Sequence, residues 1–288
     1  MVQQLADRFL NDIRNDLAKD RLVLPSLPDV VLRVWMALEA KDANARRIAD
    51  AIARDPALSV RLLRVANSAF YGQARKPVTD LARAVARLGN KLVRYMVAIL
   101  EVAQVYNVKA HPLTQPHLEH LWHESTLIAT LAELIARRLP HLSPEEALLA
   151  GLIHRIGMLP ILVRAETVPA ILNDPRILRG LAETLEPEVG RTLLTHWQFP
   201  PELVAVAAEH DDLTRESPGL ADYVDVVQTA LLMAYQGTEH PLGQVVWGEV
   251  PATLSVGLEP EDGQDMLEYA SVRAAELRTT LRGRPAAA

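Results

Sequence analysis

Residues Gly151 to Gly157 read Gly-Leu-Ile-His-Arg-Ile-Gly, an apolar run expected to be helical, with a single histidine, His154, and Arg155 directly after it. A metal-dependent hydrolase would want an aspartate in that second place. Carboxylates and neutral imidazoles point lone pairs at a divalent cation, and carboxylate charge offsets the metal's own. Arginine is a permanent cation with no lone pair to give. Beside the central histidine it puts positive charge where a metal would sit, so the pair reads as a retired active site.

Other chemistry-bearing residues are weaker candidates. His117, His120, His123 and Glu124 crowd one segment, yet steps of three carry the histidines around a helix, leaving only a pair such as His120 with Glu124 on one face. They read as surface histidines. Asp211-Asp212 after His210 reads as a polar helix end. Ser68 and Ser125 lack a spaced base and orienter for nucleophilic catalysis. No cysteine is present among the 288 residues, which removes disulfides, thiolate metal sites and thiol nucleophiles. No Gly-rich phosphate loop follows a strand.

The elements that must position these residues are helical throughout. Val30, Val31, Val34, Trp35 and Leu38 make one stripe after the turn Leu24-Pro25-Ser26-Leu27-Pro28; Ile48, Ala51 and Ile52 make a second. Leu58, Leu62, Leu63, Val65 and Ala66 make a third, and Leu81, Ala84, Val85 and Leu88 a fourth, ended by Gly89, with Asn90 capping the next helix. The spacing predicts an irregular bundle over residues 1–110. The proline-bearing passage Val108 to Pro116 marks the boundary to a second lobe, residues 111–288. Its helices are predicted at 117–138, 144–163, 177–196, 201–210 and 221–236, with a last one at 264–281. The segment 247–263 reads as loop and 283–288 as frayed. Ser143-Pro144-Glu145-Glu146 is a helix start with a capping serine.

Hydrophobic residues are 49% of the chain, enough for packed cores, and the formal net charge is −6. The charge is unevenly spread. Arg46 to Arg94 holds eleven basic and three acidic residues, whereas residues 95–288 hold thirteen and twenty-six. The amphipathic start, Met1 to Asp20, lacks a signal-peptide core, and no run reaches the ~20 apolar residues of a membrane span. A cytoplasmic protein with no membrane association is the expectation.

Three segments of the first lobe together resemble the signature of the HDOD family, the HD-related output domains of bacterial signalling proteins: Arg54-Asp55-Pro56-Ala57-Leu58, then Leu62 to Gly72 (Leu-Leu-Arg-Val-Ala-Asn-Ser-Ala-Phe-Tyr-Gly), then Ala84 to Gly89. Leu121 to Ser125, Gly151 to Gly157, Glu188-Val189-Gly190 and Trp197 to Pro201 follow in the expected order. The resemblance implies an all-α fold of an N-terminal lobe and an HD-like lobe. It also implies a signalling role, in company with a receiver domain, a sensor or a cyclic-di-GMP pathway protein. The chain departs from a catalytic HD pattern at each decisive place: Glu124 stands where a histidine is expected, Arg155 for aspartate, Glu186 for histidine, Glu209 before His210, and Leu231 for the late aspartate. Only His154 and His210 keep ligand chemistry.

An electrostatic reading joins these changes. Glu124, Glu186 and Glu209 converging on one pocket would repel unless a cation lay among them, and Arg155 supplies one. The expected protein is therefore non-enzymatic, without cofactor, and works by interaction with a protein or ligand. Arg61, Arg64, Arg83, Arg87, Lys91 and Arg94 form the expected face for an anionic partner. The runner-up is a residual metal-dependent phosphohydrolase acting on a nucleotide. The third reading is a DNA-binding regulator, with Ala45 to Asn67 as a helix-turn-helix in which Arg61 and Arg64 face phosphates. Nothing in the chain resembles a receiver domain's strand-borne acidic cluster.

Overall fold

Helix signals in the sequence become helices wherever a cap residue and an apolar stripe coincide. The computed structural model describes residues 2–19, 28–68, 71, 76–106 and 111–282. The predicted turn at 24–27, Ala69, Phe70 and Gly72 of the motif, the boundary residues 108–110 and the tail 283–288 lie outside the described residues. The first helices are α1 (Val2–Ala18), α2 (Asp29–Glu39), α3 (Ala45–Ala53), α4 (Pro56–Asn67), α5 (Leu81–Leu88) and α6 (Asn90–Tyr106). There follow α7 (Gln115–Ala136), α8 (Pro144–Ile153), α9 (Met158–Ala165), α10 (Pro169–Leu172) and α11 (Pro175–His196). Last come α12 (Pro201–Glu209), α13 (Tyr223–Tyr235), α14 (Pro251–Val256) and α15 (Pro260–Arg282). Among the described residues there is no strand, so the fold is all-α.

The chain divides into two compact units. One is built of α2 to α6, joined by the residues of α15 from Ala275 on. Its starts are set by side chains that satisfy the free N–H groups of a first turn. Asn44 accepts from Arg46 and Arg47, Asp55 from Leu58 at 2.9 Å with Pro56 in the first turn, and Asp80 from Arg83 at 2.8 Å. Gly89 ends α5 at φ +80°, a backbone only glycine adopts cheaply. Asn90 lies within the first turn of α6 rather than capping it, Gly89 itself holding the cap position through its carbonyl to Val93. The stripes predicted on α2, α3, α4 and α5 point inward, with Val31, Val34, Ile48, Ile52, Leu58, Leu62, Ala84 and Val85 fully buried.

The other unit contains α7 to α14 and most of α15, and also α1, which the sequence assigns to the first lobe. Helix α1 packs on α11 and α10, and Arg14 faces Glu188 at 3.6 Å. Its apolar residues Phe9 and Ile13 are buried there, so the amphipathic start finds its partner face far along the chain. Three further differences come from the backbone. The single helix expected at 144–163 is broken by a turn at residues 154–157. The segment 247–263 holds one short 3-10 turn (Trp247–Glu249), α14 and the start of α15. Ser143 occupies the cap position of α8, but its hydroxyl donates to Glu145 Oε2 and no backbone N–H is capped by it. The stretch 144–165 has the length and apolar character of a membrane span, and 89% of its most apolar 18 residues are buried inside the unit, so here it is core.

Candidate functional site

The turn between α8 and α9 is held where it is by two glycines. A Cβ on Gly151 would lie 2.4 Å from Ala129 Cα, so α8 touches α7 backbone to backbone. A Cβ on Gly157 would lie 2.3 Å from the Glu186 carbonyl oxygen, so the end of the turn presses on α11. His154 and Arg155, between them, are thereby thrust toward Glu124 of α7 and Glu186 of α11.

Arg155 answers both carboxylates at once. Its Nη1 donates to Glu124 Oε2 at 2.6 Å; its Nε reaches Glu186 Oε1 at 3.1 Å and its Nη2 reaches Glu186 Oε2 at 3.2 Å. The second pair is the two-pronged guanidinium geometry that matches a carboxylate. The side chains of Glu124 and Glu186 are 8% and 6% exposed, that of Arg155 25%. On Glu124, burial pushes the pKa up, but the charges of Arg155 and His154 and the hydrogen bonds from Tyr235 and Arg155 overcome it and hold the carboxyl down at about 2. On Glu186, burial prevails over Arg155 and raises the pKa to about 7. Burial works against the Arg155 charge, and the two glutamates more than restore it.

Behind the arginine lie the two histidines. His154 is fully buried with Nδ1 on the Gly151 carbonyl at 2.7 Å, and His210, at the end of α12, has Nδ1 on the Val206 carbonyl at 3.2 Å. Their rings meet edge to face with centroids 5.1 Å apart. A carbonyl accepts only from N–H, so each Nδ1 carries the proton and each Nε2 keeps its lone pair. Burial first, then the charges of His210 and Arg155, lowers His154 to about 3, and burial with the charge of Arg155 lowers His210 to about 4, so both are neutral near pH 7. His154 Nε2 has no hydrogen-bond partner among the described residues.

The other sequence-predicted residues divide by location. Glu209 does not join Arg155. It pairs with Arg215 at 2.9 Å and Arg191 at 3.8 Å, because α12 turns its side chain toward the loop after it. Arg215 also binds Asp222 and Asp225, stapling that loop to the capping box of α13. Leu231 is core. His120 and His123 are exposed, and His117 meets the Leu172 carbonyl at 3.2 Å. In the expected anionic-partner face, Arg61 pairs with buried Glu101 at 2.7 Å, Arg94 with Glu39 at 2.8 Å while lying over Trp35, and Arg87 grips backbone carbonyls. Those three serve the unit's own packing; Arg64, Arg83 and Lys91 are exposed.

Two participants carry signals the sequence reading passed over. Tyr235 donates its hydroxyl to Glu124 Oε1 and stacks on His240 with centroids 3.8 Å apart. Its signal is a polar-tipped aromatic that ends the apolar run Ala230 to Ala234. Arg215 is the single cation between the acids at 209–212 and 222–225.

A metal would need the carboxylates that Arg155 holds. With Glu124 and Glu186 bound to the guanidinium, two imidazoles remain, and among the described residues no three His, Asp or Glu side chains converge as a metal set. A cation fixed among the donors also repels a second cation. The residues present do not fit a catalytic metal.

The family model for the HDOD domain matches residues 24–213. A solved structure from Shewanella amazonensis SB2B, named as a candidate metal-dependent phosphohydrolase, superposes with TM-score 0.78 at 25% identity, covering 96% of this chain and 99% of that one. An HDOD domain protein of unknown function from Geobacter sulfurreducens gives 0.64 at 23% identity, covering 94% and 98%. A candidate signal transduction protein from Marinobacter aquaeolei VT8 gives 0.67 at 21%, covering 92% and 61%. An uncharacterised protein of Treponema pallidum (strain Nichols) is 24% identical over 237 residues. That match takes in 77% of this chain but 44% of the relative, so the chain spans less than half of its length.

Proposed function

This chain belongs to the HDOD domain family, and on that premise we propose that it is a non-catalytic regulatory module of bacterial signal transduction, acting by binding rather than by hydrolysis. The observation that carries the reading is the guanidinium of Arg155 joined to both Glu124 and Glu186. Hydrolysis at such a site rests on a metal that polarises a phosphoryl oxygen and generates hydroxide from bound water. Here the carboxylates that would hold it neutralise an arginine instead, and the pocket becomes a structural pin among α7, α11 and the turn at residues 154–157. A module so pinned transmits a signal through the surfaces it offers to a receiver domain, a sensor or a cyclic-di-GMP pathway protein in the cytoplasm.

One observation favours a second reading. His154 Nε2 keeps a buried lone pair with no partner among the described residues, the state in which imidazole binds a metal. A residual phosphohydrolase acting on a nucleotide would use it together with His210. Metal analysis of protein purified without chelator, beside melts with and without EDTA, decides between the two. We expect no stoichiometric metal and no chelator effect. Stoichiometric manganese, iron or zinc, with a melting temperature that falls in EDTA and phosphodiesterase activity that falls with it, would overturn the non-catalytic reading.

A further inference from the structure

Several basic side chains between Arg46 and Arg94 are engaged by the chain's own groups. Arg47 pairs with Asp42, Arg61 with Glu101 and Arg94 with Glu39, while Arg87 reaches the Ala66 and Lys76 carbonyls at 3.3 and 2.6 Å. Two of the three acids in the stretch, Asp55 and Asp80, have their carboxylates on helix N-termini. Arg46, Arg54, Arg64, Lys76, Arg83 and Lys91 are exposed.

Helix α4 organises part of this charge. Leu58, Leu62, Val65 and Ala66 are buried, so the opposite stripe, Ala57, Val60, Arg64 and Asn67 at spacings of three and four, faces outward. Val60 is 51% exposed. Arg54 precedes the stripe. Beyond its far end, Asn67 exchanges two hydrogen bonds of 2.8 Å with the backbone of Val78, and Arg87 grips Lys76, which brings that lysine to the end of α4. The stripe runs roughly 15 Å at 1.5 Å per residue, apolar in its first half with cations before and after.

We propose that this face binds an acidic amphipathic helix of a partner protein, its carboxylates meeting Arg54, Arg64 and Lys76 and its apolar side chains covering Ala57 and Val60. Opposite charge steers and registers such a contact, and arginine beside desolvated apolar surface is where binding energy concentrates. A duplex fits less well. Ala57 and Val60, in the half of the helix that would enter a groove, carry no group to read base edges, and Asp55 sets a carboxylate at the N-terminus where a phosphate would approach. The inference stands on this unit alone and is independent of the role of Arg155.

Fluorescence anisotropy with the full chain tests it, using three probes: an acidic helical peptide with glutamates and one leucine face, the same peptide with serine for leucine, and a DNA duplex of similar charge. The leucine-faced peptide should bind about tenfold more tightly than either other probe, with affinity falling as salt rises. Arg54→Glu with Arg64→Glu should weaken it by about tenfold or more, and Val60→Asp should bring it to the level of the serine peptide. Arg8→Glu with Arg176→Glu, the same charge change at exposed positions of the other unit, should leave binding unaltered. The proposal fails if the duplex binds as tightly as the leucine-faced peptide, if both double variants act alike, or if that peptide does not bind at low salt. All variants lie at exposed positions, and melts confirm that they fold.

Discussion

Replacing Arg155 by methionine keeps much of the side-chain volume and removes the charge. The wild-type guanidinium directs three close hydrogen bonds, of 2.6, 3.1 and 3.2 Å, at two carboxylates that are 8% and 6% exposed. Without it both are buried beside each other with no cation, and breaking a buried pair from one side costs about 3–5 kcal/mol. Protonation limits the loss. Neutralising a carboxyl of ordinary pKa 4.5 costs ~4.8 kcal/mol at pH 8 but only ~0.7 kcal/mol at pH 5, at 1.36 kcal/mol per pH unit. The variant should therefore melt roughly 6–20 °C below wild type at pH 8, taking 2–4 °C per kcal/mol for a domain of this size, and only a few degrees below at pH 5. Differential scanning calorimetry at the two pH values reads this directly. Combining Arg155→Met with Glu124→Gln and Glu186→Gln should recover most of the pH 8 loss, since the triple variant buries no charge. A pH 8 melt within a degree of wild type, or equal losses at both pH values, would refute the reasoning.

Arg155→Asp adds a third carboxylate beside His154, so its apo form should melt below wild type and regain stability with added manganese or zinc; a melt indifferent to metal would show that Arg155 does not occupy a metal's place. The buried histidines set the acid side of the stability profile. Their folded pKa values, about 3 and about 4, lie below the ordinary 6.5, so the unfolded chain binds more protons between those limits and stability falls as pH drops from 6.5. Glu186, raised to about 7, acts oppositely, its contribution fully present below pH 4.5 and lost as pH rises through 7. Urea unfolding at pH 5 and pH 7 should thus show a shallower acid loss for His210→Gln, by up to ~2 kcal/mol, and a steeper one for Glu186→Gln; parallel profiles would exclude both assignments. Gly151→Ala should cost about 3 kcal/mol or prevent folding, because its Cβ meets the α7 backbone, whereas Gly180→Ala, in open space on α11, should gain ~0.5–1 kcal/mol. Equal melts for the two glycine variants would count against the close contact.

The helical class, the apolar stripes of α2 to α5, the end of α5 at Gly89 and the absence of an aspartate after His154 were all legible in the residues. Each depends on local chemistry: apolar residues at spacings of three and four, a glycine free to take a positive φ, a side chain with no lone pair. Long-range choices were legible only in part: the family resemblance brought Glu124, Glu186 and Glu209 to one pocket with Arg155, and the first two are there. Glu124 and Glu186 each lie 31 residues from Arg155, and only the packing of α7 and α11 on the turn at residues 154–157 brings them together. Glu209 has the same chemistry as its two counterparts and goes to Arg215 instead, because the rotation of α12 decides which cation its carboxylate meets. Helix α1 was amphipathic on its face, yet an apolar stripe names no partner, and the burial of Phe9 and Ile13 on α10 and α11 was a matter of tertiary packing. The sequence by itself determined which groups could bear charge or cap a helix. Which charges meet was decided by the fold, since the strength of an ion pair depends on distance and burial, and neither is a property of position along the chain.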